Sequence, residues 1–276
     1  MAKVVGVDSS TQSVKVVLRD LETGKLLQSI SKPHPDGTEV DPKHWWRALS
    51  DALGELTSPY DAIAIAGQQH GMVALDSKGE VIRDALLWND TRSDKAADSL
   101  NKEIPDIHKR TGSKLVASFT AAKVRWLADN EADNAKRVSA IALPHDWLSW
   151  KLTGSNSISD LFTDRSDASG TGYFDSKKNT YLEDIFATAL KSKHKVVLPK
   201  IINPDGFGGK TTNGIPIAAG AGDNAGAALG LGAKVGDLII SLGTSGTAFA
   251  VSSTSTHDET GEVAGFADAT GNFLPL

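Results

Sequence analysis

The 276-residue chain contains no cysteine, which excludes disulfides, thiolate nucleophiles and cysteine-ligated zinc. It also lacks an excess of positive charge. Its 29 Lys and Arg stand against 34 Asp and Glu, a formal net charge of -5, and no basic cluster is there to neutralise nucleic-acid phosphates. No uninterrupted apolar run approaches a membrane span, and Asp8 interrupts the N-terminal apolar residues before a signal-peptide core could form. These absences point to small-molecule chemistry in a soluble, cytoplasmic protein, with neither nucleic acid nor membrane as partner. With 40% apolar residues, a chain of this length can bury one large core or two moderate ones.

In chain order, the apolar run 4–7 ends at Asp8, a hydroxyl-rich stretch Ser9-Ser10-Thr11-Gln12-Ser13 follows, and the β-branched run 14–18 resumes. That pattern predicts a hairpin with an anion-friendly turn. A third strand over 25–31 would complete an antiparallel meander. Asp41-Pro42 supplies a helix cap with proline at the first helical position, ahead of Trp45, Leu49, Ala52, Leu53 and Leu56 at helical spacing. The paired tryptophans read as packing. Residues 118–130 and 144–153 predict further helices, the second closed by Gly154, with 138–143 a buried strand between them. The polar run Ser166-Asp167-Ala168-Ser169-Gly170-Thr171 reads as a structural turn, and Lys191 to Lys195 as a solvated helix end.

Three loops carry candidate chemistry. A short strand over 61–66 stops at Gly67-Gln68-Gln69-His70-Gly71, where glycines bracket polar side chains between strands, as in a binding loop. His70 is there either a ligand contact or an ordinary satisfied histidine. In Leu86-Leu87-Trp88-Asn89-Asp90-Thr91-Arg92, Trp88 suits a pocket wall, while Asp90 and Arg92 either meet hydroxyls or pair with each other. The apolar segment 215–219 turns through Gly220-Ala221-Gly222 into Asp223-Asn224 and a small-residue helix. Asp223 falls where an N-cap carboxylate is favoured, either a plain cap or a group facing a ligand. The opening hairpin also has an echo: Leu238-Ile239-Ile240-Ser241 leads into Gly243-Thr244-Ser245-Gly246 and 248–251. Two strand–turn–strand units far apart suggest a duplicated architecture with a cleft between halves.

Taken together these motifs resemble the FGGY family of carbohydrate kinases, with its xylulokinase branch the nearest. Asp8-Ser9-Ser10-Thr11-Gln12-Ser13 is similar to the family's first phosphate loop and Gly67-Gln68-Gln69-His70-Gly71 to its sugar loop, with Leu87-Trp88-Asn89-Asp90 as companion. Gly222-Asp223-Asn224 resembles the catalytic turn, and Ser241-Leu242-Gly243-Thr244-Ser245-Gly246 the second phosphate loop. Ser10 and Ser13 depart from the pattern, standing where many members have glycine.

The resemblance implies an α/β, ribonuclease-H-like domain of the actin, Hsp70 and sugar-kinase superfamily, with the start of a second, similar domain. Residues 1–234 would bind sugar and 235–276 begin a nucleotide-binding part. It implies ATP-dependent phosphorylation of a ketopentose, D-xylulose first; another sugar or polyol (ribulose, gluconate, glycerol) or a non-catalytic sugar-binding module are the alternatives. Asp223 would be the general base, with Gln69, His70, Trp88, Asp90 and Asn224 around the sugar. Ser10, Thr11, Gln12, Gly243, Thr244 and Ser245 would hold phosphates, and Asp8 Mg2+. A homodimer stays open. The apolar end Phe273-Leu274-Pro275-Leu276, after hairpin material at 262–267 and 272–276, reads as unfinished strand pattern without a partner sheet to bury it. The expectation is therefore a portion of a longer kinase that binds sugar but transfers little phosphate by itself.

Overall fold

A computed structural model describes residues 1–242 and 246–276; Gly243, Thr244 and Ser245, assigned from sequence to phosphate binding, lie outside the described residues. The expected meander is present. Strand β1 (Lys3–Ser9) pairs antiparallel with β2 (Ser13–Asp20), placing Asp8 opposite Lys15, and β2 pairs antiparallel with β3 (Leu26–Pro33). Alternation aims Val5, Val7, Val14, Val16 and Leu18 at one face. That face is covered by helix α1 (Pro42–Gly54), whose Trp45, Leu49 and Ala52 are fully buried. Asp41 accepts the Lys43 amide at 2.9 Å and caps the helix as expected.

The strand Ala62–Gly67 runs parallel to β1, with Asp8 beside Ala66 and Ser9 beside Gly67. Its other edge pairs, also in parallel, with Pro216–Ala218 and then Ala221–Gly222, and Phe207–Lys210 closes the seven-stranded sheet antiparallel to Pro216–Ala218. Antiparallel strands continued by parallel ones, with helices packed alongside, make the ribonuclease-H-like α/β fold. The topology fixes where chemistry can gather. Ser9, Gly67 and Gly222 are register neighbours at the carboxyl ends of adjacent parallel strands, so the three loops that leave them open toward one place.

A second core lies beyond the sheet, built on Asp94–Glu103, Thr120–Asn130 and Glu183–Leu190, where Leu100, Phe119, Leu127, Tyr173 and Ile185 are buried. The predicted helix near 144–153 is Pro144–Thr153, ended by Gly154 in the left-handed region at φ 69. The run read as a turn at 166–171 proves to be a short helix, Arg165–Ser169, buried throughout and capped by the Asp164 carboxylate. The echo of the first hairpin is antiparallel as expected, Leu238–Leu242 against Gly246–Ala250.

The last residues correct an expectation. Gly265–Ala267 and Phe273–Pro275 form the anticipated hairpin, but its apolar residues do have a partner. Phe266 and Leu274 are 4% and 2% exposed in the second core, and the Arg165 guanidinium donates to Asp268 Oδ1 at 3.1 Å. Strand periodicity does not report this burial, because much of the covering surface comes from elements far back in the chain, among them His70, Phe119 and the helix Arg165–Ser169. Among the described residues, no helix is long and apolar enough to cross a membrane.

Candidate active site

Asp223 is the first residue of the helix Asp223–Gly230, and the cap position is Gly222. The sequence-based cap assignment is therefore off by one residue, with a chemical consequence. The carboxylate is not consumed in capping: among the described residues, Oδ1 accepts from the adjacent Asn224 amide at 2.7 Å and Oδ2 from none. Burial raises its pKa to about 6, against the lowering pull of the Asn224 amide, and the charge of Asp8 adds to the rise. Gly220 holds φ 78, and a Cβ there would stand 2.3 Å from the Ile65 carbonyl oxygen. Gly222 has ordinary φ; what requires glycine is the Gln69 amide, 2.5 Å from where a Cβ would be.

Asp8 ends β1 one strand away from this turn. Its side chain reaches solvent from a recess whose walls raise its pKa, opposed by Lys15 across the hairpin. Among the described residues it has no hydrogen bond or ion pair of its own. Beyond it the turn is tightened by Ser10, whose N–H and Oγ both donate to the Ser13 carbonyl at 3.0 Å. His34 fastens the turn from behind, with Nδ1 2.9 Å from Ser10 O and its amide donating to Gln12 O at 2.8 Å. Thr11 Oγ1 accepts from Trp88 Nε1 at 2.8 Å and donates to Gln68 at 3.3 Å. The indole of Trp88, 41% exposed, is thus tied to the Ser10–Ser13 turn.

Gln69 is buried and donates to the Ser166 carbonyl at 3.1 Å. His70 takes φ 68, and its ring stands 5.1 Å from that of Phe119 and 5.5 Å from that of Phe266. Burial lowers its pKa to about 4, Gly170 O opposing and Lys123 adding. The neutral ring donates from Nδ1 to Gly170 O at 2.7 Å, which leaves Nε2 an acceptor. The aromatic contacts make this loop part of the second core. His70→Ala is expected to cost about 1–2 kcal/mol of stability, measured by denaturant unfolding. An NMR titration of the ring should show no protonation from pH 8 to about 5.5, above the point where the ring charges; a transition near 6.5 would contradict this environment for His70.

Asp90 is buried with both oxygens engaged, Oδ2 by Thr38 at 2.8 Å and Oδ1 by Arg92 Nε at 2.9 Å. Of the alternatives open in the sequence, the internal Asp–Arg pair is what forms, and Asp90 supports the wall instead of facing outward. Asn224 follows Asp223 in the first turn of the helix and is half-buried. Thus Asp8, Ser10, Thr11, Gln12, Gln69, His70, Trp88, Asp223 and Asn224 come together around the parallel strand ends, and Asp90 lies behind them.

Sequence reasoning missed the layer beneath. Ser166 Oγ accepts the Gly222 amide at 3.1 Å, and His145, Asp146 and Asp167 form a fully buried cluster under the same turn. Lys123 is also fully buried, its ammonium given to the Ala117 and Ser118 carbonyls, and burial lowers its pKa to about 7. The only local sign was the polar run at 166–171; nothing around His145 marks it.

The sequence model of the FGGY family of carbohydrate kinases, N-terminal domain, matches residues 3–230. The xylulose kinase of Streptomyces coelicolor is 46% identical over 99% of this chain and 59% of its own length; that of Streptomyces rubiginosus is 44% identical with the same coverage. The crystal structure of xylulose kinase from Bifidobacterium adolescentis superposes with a TM-score of 0.95 at 43% identity, covering 99% of this chain and 64% of that one. The chain therefore spans about 59% of the length of the curated relatives it matches. With the family match running through β1, the Gly67–Gly71 loop and the Asp223 turn alike, the chain belongs to the FGGY family of carbohydrate kinases and carries its N-terminal domain.

Proposed function

We propose that a protein carrying this chain transfers the terminal phosphate of ATP to a ketopentose, at the terminal hydroxyl of D-xylulose, with Asp223 as general base. One observation carries this reading: a buried carboxylate of raised pKa, about 6, stands at a helix start beside the loop of Gln69 and His70. Such a group is mostly ionised at neutral pH and still basic enough to accept a hydroxyl proton. Phosphoryl transfer needs little proton removal early, so aim matters more than basicity. His70 Nε2, Gln69, Asn224 and the Trp88 wall supply the acceptors, donors and apolar surface that orient a polyol. That the similar proteins are xylulose kinases favours this sugar over ribulose, gluconate or glycerol.

Ser10, Thr11 and Gln12 are read as phosphate contacts, joined by Gly243, Thr244 and Ser245. For Mg2+ the residues fit: Asp8 is unpaired among the described residues, burial raises its pKa, and its charge pushes that of Asp223 up. A divalent cation held by Asp8 and the ATP phosphates would neutralise charge during transfer. The division into a sugar domain, 1–234, and the opening of a nucleotide domain, 235–276, stands as part of this proposal, with the Gly265–Pro275 hairpin folded back onto the sugar side. A cytoplasmic location and a homodimer complete it; sedimentation tests the latter.

Calorimetry with a panel of ketoses and polyols, with and without nucleotide, tests the substrate, and sugar-dependent ADP formation tests the reaction. D-Xylulose is expected to bind most tightly. Preference for glycerol or gluconate, or binding of no polyol, would overturn the assignment.

A further inference from the structure

His145 lies in the first turn of the helix Pro144–Thr153 and is fully buried beneath both loops of the site. Its Nδ1 lies 2.8 Å from Asp167 Oδ2 and 3.1 Å from Asp146 Oδ1, and its Nε2 lies 3.1 Å from the Ala219 carbonyl oxygen. Nε2 faces a carbonyl and so donates to it, while Nδ1 shares a proton with Asp167, whose own pKa burial raises to about 8, so the ring is charged to the extent that this proton sits on Nδ1. Burial opposes that charge, but the Asp146 and Asp167 carboxylates outweigh it and hold the His145 pKa well above its usual range. These separations are hydrogen-bond lengths, so the cluster forms a buried hydrogen-bonded strut.

The strut touches both loops. A Cβ at Gly67 would come within 2.9 Å of His145 Cβ, and one at Gly220 within 2.7 Å of its Nε2. The glycines that open the sugar loop and the catalytic turn are thus the surfaces on which this ring rests. Next to Asp167, Ser166 repeats the connection with a second pair of bonds. Its carbonyl accepts from Gln69 Nε2 and its Oγ from the Gly222 amide, each at 3.1 Å.

We propose that His145 and Asp167, with Ser166 beside them, are positioning residues: a buried bridge that fixes the Gly220–Asp223 turn against the Gln69–His70 loop and so aims the Asp223 carboxylate at the bound sugar. The proposal rests on the kinase reading above for its catalytic consequence, though not for its structural one. None of the three touches substrate; they act through the Ala219 carbonyl, the Gly222 amide and Gln69.

A matched pair of double variants isolates the strut. His145→Gln with Asp167→Asn keeps an N–H able to reach the Ala219 carbonyl, whereas His145→Phe with Asp167→Asn fills the space without a donor, and both remove the Asp167 charge together with that of the ring. In the sugar-free protein, amide exchange over residues 220–223 should be about tenfold or more faster in the Phe pair than in the Gln pair. In turnover, the Phe pair should lose about tenfold or more in kcat while KM for the sugar moves less than about threefold, and the Gln pair should recover most of the loss. Equal exchange in the two pairs, or equal kcat, overturns the proposal. If the Phe pair does not fold, Ser166→Ala removes the acceptor of the Gly222 amide and is read by the same exchange measurement. Faster exchange than in the unsubstituted protein then supports the bridge, and unchanged exchange overturns it. Turnover is read in the whole protein that carries this chain; its absence there in the unsubstituted form would count against the kinase reading alone, and the exchange comparison would still decide the strut.

Discussion

Replacing Asp223 by Asn is expected to cut sugar-dependent ADP formation by about a hundredfold or more while leaving sugar binding within a few-fold. Among the described residues at the cleft, this carboxylate combines a free oxygen with a pKa near 6, so its loss removes base and aim together. The same substitution should stabilise the protein at neutral pH. A carboxylate at about 6 when folded and about 3.9 when unfolded binds more protons in the folded state, so its ionisation costs stability as pH rises through that interval. The cost is fully present well above pH 6, on the order of 3 kcal/mol, and absent below pH 4. Asp223→Asn should therefore be more stable than the parent at pH 8 and equal to it near pH 4, measured by denaturant unfolding. Undiminished turnover, or a stability difference that grows toward acid, would sink the assignment of Asp223 as a buried base.

Gly220→Ala should produce a large structural effect for a single methyl group. The added carbon would stand 2.3 Å from the Ile65 carbonyl and 2.7 Å from His145 Nε2, on a backbone at φ 78. Neither neighbour is the free end of a flexible side chain: one is backbone in the central strand, the other a buried ring bonded at both nitrogens. Overpacking together with left-handed strain is expected to cost about 2–4 kcal/mol, and the displaced turn should lower kcat more than KM for the sugar. Gly222→Ala is a useful contrast because its backbone is unstrained and the obstruction is the Gln69 side chain, which a rotamer change can partly relieve. Equal losses at the two positions would mean that the turn is not set by the Ile65–His145 contact.

Local pattern carried much of this molecule. Alternating valines and leucines around a hydroxyl-rich turn predicted β1 and β2, and Asp41-Pro42 predicted the start of α1. Glycines around Gln68-Gln69-His70 predicted a loop, and a small-residue helix after Gly220-Ala221-Gly222 predicted the turn that bears Asp223. These signals are legible because hydrophobic period, cap chemistry and backbone freedom each act within a few residues. The motifs in order also placed the chain in its family.

Other features depend on distance in space, to which a one-dimensional pattern is blind. Parallel pairing of Ala62–Gly67 with both β1 and Ala221–Gly222 puts Asp8 close enough to raise the pKa of Asp223. The same packing closes Asp90 onto Arg92 and Thr38, stacks His70 on Phe119 and Phe266, and gives the Phe266 hairpin a buried partner. It alone brings His145 to Asp167 and to the Ala219 carbonyl. The sequence by itself determined which residue types meet at the cleft and which loops carry them. Only the tertiary structure decided which of their oxygens and nitrogens are already taken, because the energy of a buried charge or hydrogen bond is set by the partner that packing brings within about 3 Å.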